Sequence, residues 1–165
     1  MARYSATWGS ITAAAVADTV TFTAGQAPGF LRCGGATQQH KISEVSISGL
    51  EPSASNATDM ILARTSTISV GALSVGNLAL LDAVSTAPGT APSWGSTAAT
   101  TFPQRSATLY LLEPAFNAYG GIYRWQARYG EEITSYGNTA SLGEVIVSSK
   151  TGTGKTSGHI LFEAV

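Results

Sequence analysis

The chain has 165 residues and a net charge of −1, with 12% charged residues against 44% hydrophobic ones. That length fits one domain with a sizeable core, and a near-neutral chain at about half the usual charged share offers no footprint for nucleic acid or an anionic membrane. A single cysteine, Cys33, excludes an internal disulfide framework and a thiolate zinc site, and no apolar run is long enough to cross a bilayer as a helix.

A surface this poor in charge has little protection against association. It belongs either to a domain coated in Ser and Thr or to one covered by partners.

In chain order, MARYSATWGS (1–10) lacks a basic start followed by an apolar run, so it predicts no signal peptide. It reads instead as an extended N-terminal arm. ITAAAVADTV (11–20) has room for a turn or two of helix, and TVTFT (19–23) alternates Val20 and Phe22 with threonines as a strand does. Cys33, in LRCGG, carries no reactive signature and reads as a half-buried structural thiol.

KISEVSISG (41–49) sets Val45 and Ile47 on one face and Glu44, Ser46 and Ser48 on the other. DMILARTSTISV (59–70) is apolar, then alternating. SVGNLALLDAV (74–84) suits a strand or a short helix. Pro88, Gly89, Pro92, Gly95 and Pro103 forbid a long regular element over 85–103, which predicts a long loop holding Trp94.

ATLYLLE (107–113) is the nearly continuous apolar run expected of a central sandwich strand. In GIYRWQARY (121–129), Tyr123, Trp125, Ala127 and Tyr129 share a core face, while Arg124 and Arg128 point outward as possible contact residues. Glu131 and Glu132 are neighbours in a solvated loop; adjacent strand positions face opposite ways, so they make no ready acid/base pair. His40 and His159 each stand apart from other metal-ligating residues.

Near the C-terminus, SKTGTGKT (149–156) falls one glycine short of the phosphate-cradling consensus. Such a loop works by joining a strand to a helix N-terminus. Here EVIVSS (144–149) precedes it, but SGHILFEAV follows, alternating His159, Leu161 and Glu163 against Ile160, Phe162 and Ala164. The pattern predicts a glycine-rich turn closing a hairpin of 144–149 with 158–164. Many short strands, little helix and no repeat or linker predict an all-β chain, a single jelly-roll-like β-sandwich over 1–165. No G-x-S-x-G elbow or acid/base pair emerges, so the reading is a non-enzyme without cofactor or metal.

MARYSATW, KISEVSISG, TAPGTAPSWG, GGIYRWQARYGEE and the terminal HILFEAV, spread over nearly the full chain, resemble small virion proteins of tailed bacteriophages. The resemblance implies a β-sandwich or jelly-roll head protein on the capsid exterior, made in the host cytoplasm. It further implies the major capsid protein as partner and homotrimers at local three-fold positions. A tail or fibre component binding host surface glycan or another virion protein is the alternative, with Trp94 and the Tyr/Trp strand as platform. For the decoration role, segment Ala2–Trp8 and loop 85–103 are expected to make the intersubunit contacts, and the expected contact residues are Arg3, Tyr4, Trp8, Trp94, Arg124 and Arg128.

Overall fold

A computed structural model describes residues 1–52, 57–74, 76–82 and 90–165. Among these the chain is all β, without helix. One sheet is built on β1 (Ala2–Ala13), β14 (Gly154–Ala164) and β3 (Gln39–Gly49) in that order. It is extended beyond β1 by β6 (Asn77–Leu80), while β11 (Ile122–Gln126) and β12 (Ile133–Tyr136) share the far edge of β3. The second sheet is built on β2 (Gly29–Arg32), β13 (Glu144–Thr151) and β4 (Ala57–Thr67). It is extended beyond β2 by β7 (Ser93–Gly95), while β9 (Gln104–Leu112) and β10 (Ala115–Asn117) share the far edge of β4. A short ribbon pairs β5 (Leu73–Ser74) with β8 (Thr97–Ala98).

The pairings run from the outside of the chain inward. β1 pairs with β14, β2 with β13, β3 with β11 and β12, and β4 with β9 and β10, all antiparallel. The first member of each pair alternates between sheets. This is the strand order of a jelly roll, a long two-stranded ribbon wrapped into a double sheet.

Two apolar layers hold it. Between the sheets, Tyr4, Trp8, Ile42, Val45, Ile47, Ile160 and Phe162 meet Leu31, Met60, Leu62, Val145 and Val147. Outside the second sheet, Phe30, Ile61, Ala63 and Ile146 are covered by Val16, Phe22 and Ala27 of the β1–β2 connection. The unbroken runs Met60–Ala63 and Val145–Val147 are thus apolar on both faces because both faces are covered. The strap over the second sheet is bolted by Arg105, whose side chain is buried. It donates to Asp18 Oδ1 (2.7 Å), Val16 O (2.6 Å), Ser148 Oγ (2.9 Å) and Ser149 O (3.1 Å).

Several expectations are corrected. The opening decapeptide is not an arm: residues 2–10 lie in β1, a central strand whose Ala2, Tyr4, Ala6 and Trp8 are core. Residues 14–20 form no helix: Ala14, Val16 and Thr19 N–H donate across to Gln26 O, Ser149 O and Arg105 O, and the one local bond, Val20 N–H to Ala17 O, closes an isolated turn with Thr19 at φ 61°. TVTFT is not a strand: Thr19 has φ of 61°, only Thr21 bridges to Gln104, and Phe22 is buried while Val20 is exposed.

ATLYLLE is an edge strand, not a central one: among the described residues β4 is the one strand that β9 pairs with, the bridge from Thr21 reaches only its first residue, Gln104, and Leu109 is exposed. Of the segment 74–84, residues 77–80 are strand, with 75 and 83–84 outside the described residues. Of the predicted loop 85–103, residues 85–89 also lie outside them, and the remainder carries β7 and β8. The Cys33 thiol is fully rather than half buried, and burial pushes its pKa up.

The C-terminal hairpin is an arch. Gly152, at φ 75°, turns the chain, but β13 and β14 lie in different sheets. Burial dictates the split. β13 is apolar on both faces and needs a covered sheet, whereas β14 carries His159, Leu161 and Glu163 on one face and belongs where that face is open.

Candidate interaction surface

Among the described residues one broad sheet face is left uncovered, the outer face of the first sheet. Register places Arg3, Ser5 and Thr7 of β1 beside Glu163, Leu161 and His159 of β14, then Lys41, Glu44 and Ser46 of β3, then Gln126 and Arg124 of β11. A bulge at Ser43, between the pairs Ile42↔Phe162 and Leu161↔Glu44, keeps Ile42 and Val45 both inward and turns Glu44 outward.

Glu44 is the hub of this face. Arg124 donates to it through Nε (2.9 Å) and Nη2 (3.0 Å), Gln126 through Nε2 (2.9 Å), and His159 Nε2 lies 3.0 Å away. The Arg124 fork, then the His159 and Gln126 bonds, hold the carboxyl down at about 2 against the cost of burying it. This cross-strand knot locks β11, β3 and β14 together.

Toward the start of β1 the same face carries a row of alternating charge, Arg3, Glu163 and Lys41, on three adjacent strands. Leu81, tied by its N–H to Arg3 O at 2.8 Å, and Leu161 line the hollow there with Glu132. A contiguous hollow shares Lys41, Glu132 and Glu163 and reaches Tyr129 and Gly130. Tyr129 does not join the core face expected for it. The strand ends at Gln126, Gly130 at φ 84° turns the loop outward, and the ring is fully exposed.

The edge made by β11 and β12 is lined by exposed Tyr119, Ile122, Tyr129, Tyr136 and Leu142. Among the described residues no strand pairs with its outer side.

The expected contact residues divide. Arg3, Arg124 and Arg128 are at the surface, with the Arg124 guanidinium engaged by Glu44. Tyr4, Trp8 and Trp94 are buried, so as surface contacts of the folded chain they are corrected. Tyr4 stacks on Phe162 at 5.4 Å, Trp8 Nε1 donates to Thr156 Oγ1 (3.3 Å), and Trp94 Nε1 donates to Thr7 O (3.1 Å). Each indole has an apolar body and a satisfied polar tip, which suits a core.

Lys41, Glu44, Gln126, Glu132, His159 and Glu163 were not singled out as surface groups acting together. Their outward parity was legible in three of the strands; the register that makes them neighbours was not. Among the described residues, no three His, Cys, Asp or Glu side chains converge as a metal site would require. Comparison of the chain with protein-family models, with curated proteins and with solved structures finds no match.

Proposed function

We propose that the chain is a structural virion protein, a capsid decoration protein that binds the major capsid protein lattice from outside and does so as a homotrimer. The observation that carries this reading is the β11/β12 edge with its exposed Tyr119, Ile122, Tyr136 and Leu142. The outer edge of β11 offers backbone donors and acceptors for augmentation by a partner strand, whereas on β12 Tyr136 N–H already donates to Leu142 O (2.8 Å) and Thr134 O accepts from Arg64 Nη2 (2.6 Å); tyrosines beside an arginine, here Arg128, have the composition of an interface. The low charge of the chain, 12% of residues, lowers the desolvation cost of covering such a surface. Repeated weak contacts across a lattice then give high occupancy through multivalency.

The test is reconstitution. Purified chain is added to phage particles lacking it, occupancy is read by cosedimentation and image reconstruction, and the mass of the chain in solution is read by sedimentation equilibrium. The proposal expects saturable occupancy and a trimer mass, with occupancy reduced about tenfold or more by Ile122→Lys with Tyr136→Lys at unchanged Tm. A monomer that never associates with particles overturns it.

A further inference from the structure

The groove at the start of β1 is a built feature that the virion reading does not use. Its walls come from β1, β14, β3 and the β11–β12 loop, with Leu81 at one side. The part beneath Tyr129 has a volume of about 330 Å³, at the small end of ligand sites and enough for one or two sugar rings.

Its chemistry is of mixed sign. Arg3 and Lys41 supply donors, and Glu132 and Glu163 supply acceptors. Among the described residues none of these four is ion-paired within the chain, although Arg3, Glu163 and Lys41 occupy directly facing positions on adjacent strands. Cations and carboxylates are interspersed along the groove, which also reaches Met1, so a ligand of either net charge meets like charge there. They suit a neutral molecule that presents many hydroxyls, each able to donate to a carboxylate and accept from an ammonium or guanidinium.

An aromatic plate completes the set. Tyr129 is 102% exposed at the rim, so both ring faces are available. The loop that carries it is held in shape: Glu131 N–H donates to Arg128 O (2.9 Å), and Gly130 N–H donates to Glu132 Oε1 (3.3 Å). That hydrogen bond also fixes the Glu132 carboxylate at the groove, reducing the ordering cost of binding. An exposed ring beside paired donors and acceptors matches the two aspects of a pyranose, an apolar C–H face and a polar hydroxyl rim.

We infer that this groove is a binding site for a neutral hexose-type saccharide, which stacks on Tyr129 and places its hydroxyls among Lys41, Arg3, Glu132 and Glu163. The site lies on the sheet face and loop and does not depend on the chain being a capsid protein, so its test uses the isolated full chain. An array of neutral, acidic and amino-bearing glycans is probed first, and saturation-transfer NMR with the neutral oligosaccharide retained most strongly then maps the contact. Binding of neutral glycans is expected, with Tyr129 ring protons in contact with the sugar. Tyr129→Ala and Glu132→Gln should each weaken binding about tenfold while Tm stays within about one degree, since neither side chain packs in the core. Retention of no glycan, retention of acidic glycans only, or undiminished binding by Tyr129→Ala overturns the inference. Failure here leaves particle binding untouched, and failure of particle binding leaves this site untouched.

Discussion

Trp8 of β1 and Trp94 of β7 meet across the two sheets, ring centroids 5.9 Å apart and planes tilted by 41°. The contact joins the chain's opening segment to its proline-rich middle and fills the core where β6 and β7 flank the two sheets. Trp8→Ala or Trp94→Ala should each cost about 3–5 kcal/mol in urea unfolding. The double substitution should cost less than the sum, because the partners share one cavity. Removal of residues 2–8 should abolish cooperative unfolding rather than leave an intact domain, because Tyr4, Ala6 and Trp8 leave the core with it. An intact, cooperative truncated domain would contradict this packing.

Both indoles lie over glycines. A Cβ at Gly158 would sit 2.1 Å from Ser46 O and 2.6 Å from Trp8 Cζ2, and one at Gly29 would sit 2.4 Å from Trp94 Cη2. Ser46 O is backbone of a central strand and cannot retreat without moving β3. Gly158→Ala should therefore destabilise by about 2 kcal/mol or more. Thermal unfolding of Gly158→Ala beside exposed Gly9→Ala, where nothing lies within 4 Å, isolates the steric effect.

Arg105 is the bolt of the second layer. Replacing it with Met removes the bonds to Asp18, Val16, Ser148 and Ser149 and leaves Asp18 without its cation. Asp18 is partly solvated, so the loss should fall near about 3 kcal/mol, the lower end for a broken buried pair. Limited proteolysis should cut first within residues 14–28, exposing the Phe22 layer. An unaltered cleavage pattern would show that the strap is held by its apolar residues alone.

Stability should fall on both sides of a plateau in pH. Glu144 is fully buried; its Oε2 accepts from Ser69 N (2.9 Å) and Oγ (2.8 Å), while among the described residues its buried Oε1 has no partner. Burial raises its pKa from 4.5 to about 7, so the folded state holds the proton more tightly than the unfolded chain. That contribution is complete below 4.5 and is lost as pH rises through about 7, amounting to at most about 3 kcal/mol.

His40 acts in the opposite sense. Burial lowers it from 6.5 to about 4, so the unfolded chain takes up its proton first and stability falls on acidification through that window. Between 4.5 and 6.5 the two slopes oppose each other. Below 4.5, Glu44 adds a further loss as its paired carboxylate is protonated. Glu144→Gln should remove the alkaline limb only, measured as Tm from about pH 4 to about pH 9; a persistent alkaline limb in that variant would assign it elsewhere.

Periodicity alone determined much of this molecule. The alternations of 41–49 and 158–164, and the short runs separated by glycine and proline, specified an all-β sandwich of jelly-roll type, because a side-chain period of two is a local property of extended backbone. The failure of SKTGTGKT as a phosphate loop was legible for the same reason: a strand, not a helix, follows it.

Only the tertiary structure decided which strands are neighbours. β1 pairs with β14, and that register, set by packing of residues far apart in sequence, makes Arg3, Glu163 and Lys41 one row and Glu44, Arg124 and His159 one knot. It also put β13 and β14 in opposite sheets and took Trp8 and Trp94 from presumed surface to core. An aromatic ring in a Gly- and Pro-rich segment carries no mark of what will cover it. That is settled by which apolar faces remain when the sheets close, a non-local balance of burial that no window of sequence contains.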